Sequence, residues 1–286
     1  MNAGSFLRRV AMIAGLLLAA PQGGFAEQAQ PPDAGYLGGD SFKPVWDGVC
    51  GVGGQVLQGC DAIRARKPAN SARHPWRAVG RLNYSGGRVK ISCTGTLISE
   101  RVVLTAAHCL YNSAQSRWVK ADSLRFVAGF DRGKGQAVSG VERYILDPAQ
   151  NPRSRDFRGS PAQDWALLVL SKPIGRNAGY IEPLTTRPES LRGKKALLAG
   201  YSGLRPNVLT IARDCGRLDY APRLGAVFSR CSAMQGDSGA PILVFNNGKR
   251  RVAGVYTAAV SNGTELLSAG VPIATFLRAL EGIKGK

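Results

Sequence analysis

Apolar residues along this chain fall mostly into short runs separated by glycine-rich or polar turns. From Pro75 onward such runs occur at Ala78–Leu82, Arg88–Ile91, Thr96–Ile98, Val102–Leu104 and Leu124–Val127. The second half repeats the style at Ala166–Leu170, Lys195–Leu198, Ala226–Phe228, Pro241–Phe245 and Val252–Tyr256. Many short strands at close spacing argue for a β-sandwich or β-barrel architecture. The end of the chain changes period. Ile273, Phe276, Leu277, Leu280 and Ile283 recur at helical spacing, which predicts an amphipathic helix over 272–283.

Two stretches stand outside this pattern. Residues 1–26 open with Arg8 and Arg9, continue through the apolar run Val10–Ala20 and end in Gly24-Phe25-Ala26, small at both outer positions. That is the anatomy of a secretory signal peptide cleaved after Ala26. A membrane anchor fits less well, because the apolar run falls short of the ~20 residues needed to span a bilayer. The expected mature chain, 27–286, is therefore secreted or periplasmic, in an oxidising compartment, with no transmembrane segment. Residues 27–60 are rich in Gly, Pro and Gln. We read 27–72 as an N-terminal arm or propeptide-like segment and 73–286 as the folded domain.

Composition narrows the fold and then tests one rival function. A length of 286 residues is too great for a globin-sized single core. It suits one large β-rich domain or two barrels of roughly 100–130 residues each. With 44% apolar and 20% charged residues, the chain is not disordered. Lys+Arg number 38 against 19 Asp+Glu, a net charge of +19, and removal of 1–26 still leaves +17. The basic residues are spread out, with Arg64, Arg66, Lys67, Arg73, Arg77, Arg81, Arg88 and Lys90 in one half and Lys249–Arg251 in the other. No zinc-finger spacing, basic helix feeding heptads or RNA-binding aromatic signature accompanies them, so nucleic acid is not an expected partner. A solvated basic surface is the plain reading, with anionic cell-surface polymers as partners it could attract.

Three motifs carry chemistry. In Leu104-Thr105-Ala106-Ala107-His108-Cys109, a small-residue turn after an apolar run puts one of only two histidines at the end of a rigid element. The other, His74, precedes Pro75-Trp76. Two histidines without Cys-x-x-Cys or His-Glu-x-x-His spacing do not make a metal site, and no cofactor is expected. In Asp164-Trp165-Ala166-Leu167-Leu168-Val169-Leu170, an acid directly ahead of an apolar run is drawn toward the interior. There it needs a hydrogen-bonding role, for which orienting an imidazole would serve, although alone it could equally be an exposed turn residue. In Gly236-Asp237-Ser238-Gly239-Ala240-Pro241, flanking glycines allow a tight turn that exposes a hydroxyl and aims consecutive N–H groups into one space. Ala240 rules out the Gly-x-Ser-x-Gly elbow of the α/β-hydrolases, and Gly-Asp-Ser-Gly alone could be an ordinary turn.

Taken together and in this order, the three motifs resemble those of the trypsin/chymotrypsin family of serine peptidases, over roughly residues 73–284. The resemblance implies an all-β fold of two six-stranded antiparallel β-barrels with a C-terminal α-helix, the chain crossing between barrels within 145–190. It also implies a secreted serine endopeptidase acting on protein or peptide substrates, with Ser238 as nucleophile, His108 as general base and acid, and Asp164 orienting the imidazole. The N–H groups of Gly236 and Ser238 would form the oxyanion hole. The alternative is a weak or inactive cationic protein on the same scaffold that binds anionic surface polymers. The molecule is expected to be a monomer.

Departures from the family pattern are informative. No Ile-Val-Gly-Gly-like start exists whose new amine could pair with the Asp before the nucleophile, so either Asp237 is satisfied in another way or the activation differs. Arg73–Leu82 and the segment from Asp214-Cys215 to Cys231 look like the bacterial glutamyl-endopeptidase-like branch. The histidine usual in the pocket wall of that branch is here Tyr256, beside Thr257. Counting back from Ser238 puts Ser232 at the base of the specificity pocket, with Ala259 and Gly270 as walls. None is charged, which implies an uncharged residue before the scissile bond. Six cysteines allow fifteen pairings. The resemblance pairs Cys93 with Cys109, Cys215 with Cys231 bracing the approach to the nucleophile, and so Cys50 with Cys60.

Overall fold

The run Ala166–Leu170 is buried at every position, not at alternate ones, because its strand has packed side chains on both faces. Leu124–Ala128 alternates instead, burying Leu124, Phe126 and Ala128 while Arg125 faces water. In the computed structural model, which describes residues 60–84, 92–153, 155, 159–261 and 266–284, strands of these two kinds close a barrel. It consists of β2 (Val79–Tyr84), β3 (Ser92–Leu97), β4 (Val102–Thr105), β7 (Leu124–Ala128), β8 (Ala137–Leu146) and β9 (Ala166–Leu170). Its ring order is β2-β3-β4-β9-β8-β7, antiparallel throughout. A two-residue ladder of β5 (Tyr111–Asn112) and β6 (Arg117–Trp118) projects between β4 and β7.

Residues 171–195 lead to the second half, through a one-turn helix α2 (Gly175–Ala178). There β10 (Ala196–Gly200), β14 (Pro241–Asn246), β15 (Lys249–Ser261), β16 (Leu266–Pro272), β13 (Ala226–Ser229) and β12 (Asp219–Ala221) follow one another in hydrogen-bonding order. A bridge between Lys195, just before β10, and Arg217, just before β12, joins the two ends of this array into a second ring. Beyond β10 the sheet continues through β11 (Thr210–Ala212) to β1 (Lys67–Pro68), giving eight strands in all.

The C-terminal helix α3 (Ile273–Lys284) returns across the molecule and buries Ile273, Phe276 and Leu280 in the core that fills the first barrel. Most strands predicted from sequence are present with one- or two-residue shifts, whereas Arg88–Ile91 lies outside the described residues, as do the leader and residues 27–59. The end of the stretch read as an arm is built into the fold. Helix α1 (Cys60–Ala65) buries Cys60 and Ile63, and β1 pairs with β11, Lys67 opposite Ile211 and Pro68 opposite Thr210.

Candidate active site

Strand register brings the histidine and the acid together. β4 ends at Thr105 opposite Ala166, the first residue of β9, so the turns just beyond these residues meet at one barrel end. His108 lies in a short 3-10 turn, Ala107–Leu110, tied back to β3 by the Cys93–Cys109 disulfide. Asp164 caps the 3-10 turn Pro161–Gln163. Its Oδ1 accepts the His108 backbone N–H at 2.9 Å, and its Oδ2 lies 2.7 Å from His108 Nδ1. His108 is 2% exposed and Asp164 0%. An ionised carboxylate only accepts, so the imidazole hydrogen sits on Nδ1 and the basic lone pair on Nε2. Trp165 anchors this acid, stacking on Phe276 of α3 at 5.0 Å and donating its indole N–H to Asp147.

The serine segment comes from the second barrel and is held by the first. Gly236 and Gly239, at φ +93° and +82°, fold the backbone tightly around Asp237 and Ser238. Thr94 of β3 donates its N–H to the Ser238 carbonyl at 2.9 Å and its hydroxyl to the Gly236 carbonyl at 2.8 Å. The same hydroxyl accepts from Tyr201 N–H. With both carbonyls turned toward Thr94, the N–H groups of Gly236 and Ser238 make no hydrogen bond among the described residues. Ser238 is 7% exposed, and its carbonyl oxygen lies 3.8 Å from Cys109 Sγ, beside the histidine turn.

Asp237 has a partner that sequence reasoning did not find. Arg66, immediately after α1, places Nη1 at 2.9 Å from Asp237 Oδ1, both side chains almost fully buried. Its Nη2 donates to the carbonyl of Ser232, while Asp237 Oδ2 accepts from Met234 N–H. Thr94 was also missed. Its only sequence signal is a hydroxyl beside Cys93, whereas the question of what satisfies Asp237 was legible without pointing to Arg66.

Of the other residues expected in the pocket, Ser232 is half-buried and donates its N–H to Asp214. Tyr256, Thr257 and Ala259 are buried on β15, and Gly270 on β16 pairs with Tyr256. Burial, with the charge of Asp237 nearby, pushes the Tyr256 phenol well above the ordinary tyrosine range, so it stays neutral. Ala259 packs against Ile63 of α1 and Met234. Cys215 and Cys231 are bonded, and Cys60 is disulfide-bonded while Cys50 lies outside the described residues. Cys93, Cys109 and His108 converge within 4.8 Å, but both sulfurs are spent in the disulfide and offer no thiolate to a metal. His74 lies elsewhere, in a cleft of about 360 Å³ with Glu182 and Lys249–Arg251.

Comparison with known proteins agrees with this architecture. The family model described as "Trypsin" matches residues 63–279. The chain is 31% identical over 172 residues to Serine protease SP24D of Anopheles gambiae, which covers 54% of this chain and 59% of the relative. It is 28% identical over 136 residues to Glutamyl endopeptidase of Bacillus licheniformis, covering 47% of this chain and 39% of that one. The matches thus span well under two thirds of these relatives' lengths. Among solved structures, a Glu endopeptidase in complex with MPD superposes with a TM-score of 0.61 at 23% identity, over 77% of this chain and 97% of the other. Protease Anisep from Arthrobacter nicotinovorans gives 0.58 at 16% identity, over 75% and 96%.

Proposed function

The chain belongs to the trypsin family, and from that premise we propose that it is a secreted serine endopeptidase working through His108, Asp164 and Ser238. The observation that carries this reading is the two-point contact of Asp164 with the ring and backbone of a buried His108, next to the serine loop. Ser238 Oγ attacks the peptide carbonyl while its proton passes to His108 Nε2. Asp164 keeps the imidazole in that tautomer and stabilises the imidazolium. The N–H groups of Gly236 and Ser238 stabilise the oxyanion, a contribution typically worth ~3 kcal/mol per donor. His108 then protonates the departing amine, leaving an acyl-Ser238 that water releases by the same steps in reverse.

An uncharged residue before the scissile bond fits the neutral lining at Ser232, Tyr256, Thr257, Ala259 and Gly270. The buried charges beside it, Arg66 and Asp237, neutralise each other, and Asp214 accepts the backbone N–H of Ser232. Disulfides at Cys93–Cys109 and Cys215–Cys231 support an oxidising destination. The peptidase domain read from residue 73 takes in the docked segment from Cys60 as well, since α1 buries Cys60 and Ile63 and β1 pairs with β11.

Ser238→Ala should abolish hydrolysis of a peptide substrate and labelling by a fluorophosphonate, with the circular dichroism unchanged. Hydrolysis at the wild-type rate would sink the mechanism. On a panel of chromogenic peptides differing at the residue before the cleaved bond, apolar or small residues should give the highest kcat/KM. A strong preference for Lys, Arg or Glu would refute the pocket assignment.

A further inference from the structure

Two charges are buried directly beneath the serine loop, and the triad uses neither. A carboxylate taken from water survives ionised only if a cation and hydrogen bonds compensate it. Asp237 receives Arg66 Nη1 at 2.9 Å on one oxygen and Met234 N–H at 3.1 Å on the other. Arg66 spends its second arm on the carbonyl of Ser232. One guanidinium therefore grips both ends of the segment 232–237 that leads into Ser238. A planar fork can do this and a point charge cannot.

The guanidinium is itself held. Arg205 donates to the carbonyls of Arg64 and Arg66 at 2.8 Å each, β1 pairs with β11, Cys60 is disulfide-bonded, and Ile63 is buried against Ala259 and Met234.

We propose that Arg66 is a positioning residue for the nucleophile and oxyanion loop, and that the docked segment 60–68 holds this loop in its reactive form. No new chain terminus is then needed to supply the cation. Cleavage after Arg66 would detach its anchoring helix α1 from β1 and loosen the grip. This rests on Ser238 being the nucleophile.

The test compares the mature wild-type protein with Arg66→Met, Arg66→Lys and the double variant Arg66→Met with Asp237→Asn. Measured quantities are kcat and KM on a peptide anilide between pH 5.5 and 9, fluorophosphonate labelling rate, and melting temperature. In Arg66→Met, kcat and labelling rate should fall about 100-fold, the scale of a ~1 Å misplacement of a reacting group. Arg66→Lys should fall less, keeping the charge and losing the fork. The unpaired carboxylate of Arg66→Met would have a raised pKa, so its deficit relative to wild type should shrink as pH falls. A purely structural loss would show no such trend. Wild-type kcat and labelling in folded Arg66→Met would overturn the proposal. If that variant does not fold, the double variant, which removes both charges together, decides: slow labelling supports the proposal and wild-type labelling overturns it. Mapping the label in the wild-type protein separates the two readings, since a label on any residue other than Ser238 removes the nucleophile assignment itself.

Discussion

Gly239 lies where the serine loop of the second barrel meets β3 and β4 of the first. A Cβ at this position would overlap the Thr94 carbonyl oxygen and Thr105 Oγ1, and its φ of +82° is one that side-chain-bearing residues resist. Gly239→Ala should therefore strain the loop by about 2 kcal/mol. For a domain of this size that lowers the melting temperature by roughly 4–8 °C, and fluorophosphonate labelling should slow as Ser238 is pushed away from Thr94. A thermal melt superimposable on wild type would show that the barrels part there without cost. At this scale His108 stood out as one of two histidines and Ser238 by its flanking glycines, whereas Asp164 drew notice only in company with them. Arg66 did not stand out, since nothing local distinguishes it from Arg64 or Lys67, and its partner lies 171 positions away.

Among the elements, legibility followed burial. β9 reads plainly because both of its faces are covered, and α3 because its apolar positions keep one helical stripe. β8 was missed. Its ten residues include exposed Glu142 and Arg143 beside a register shift between Val141 and Arg143, which breaks the two-residue alternation a strand is recognised by. β11 and β12, three residues each, are too short to show a period, and α1 and β1 hide at the end of a stretch whose Gly, Pro and Gln suggested an arm. The pairing of β4 with β9 decides the site, and that was beyond sequence pattern, since either strand alone is only an apolar run. The two described disulfides each close a separation of 16 residues, a constraint worth roughly 3 kcal/mol in the chain-entropy model.

At the scale of the whole molecule, one cleft among the described residues gathers several basic side chains. The cleft holding His74, Lys249, Arg250 and Arg251 also contains Glu182, which pairs with Arg251, while Arg250 stacks over Trp76 at 5.2 Å. Burial, and then the nearby Arg77, hold the His74 pKa below its ordinary value of 6.5, so His74 is neutral at pH 7. A sulfated polysaccharide seated there would draw a proton onto His74. Its affinity should fall steeply with salt and rise as pH falls through the range in which His74 takes up its proton. Lys249→Ser with Arg250→Ser should flatten the salt dependence measured by column retention, and retention unchanged by that pair would move the binding elsewhere on the surface.

The Arg66–Asp237 pair also bears on how the chain is made. The cation is synthesised early and the anion late, and each is buried only in the company of the other. A fragment that ends before Asp237 carries a cation with nowhere to settle, and one that starts after Arg66 carries an orphaned acid. A chain lacking either residue would have to bury the other's charge unpaired, at a cost of several kcal/mol, so truncated copies should fail to order the serine loop.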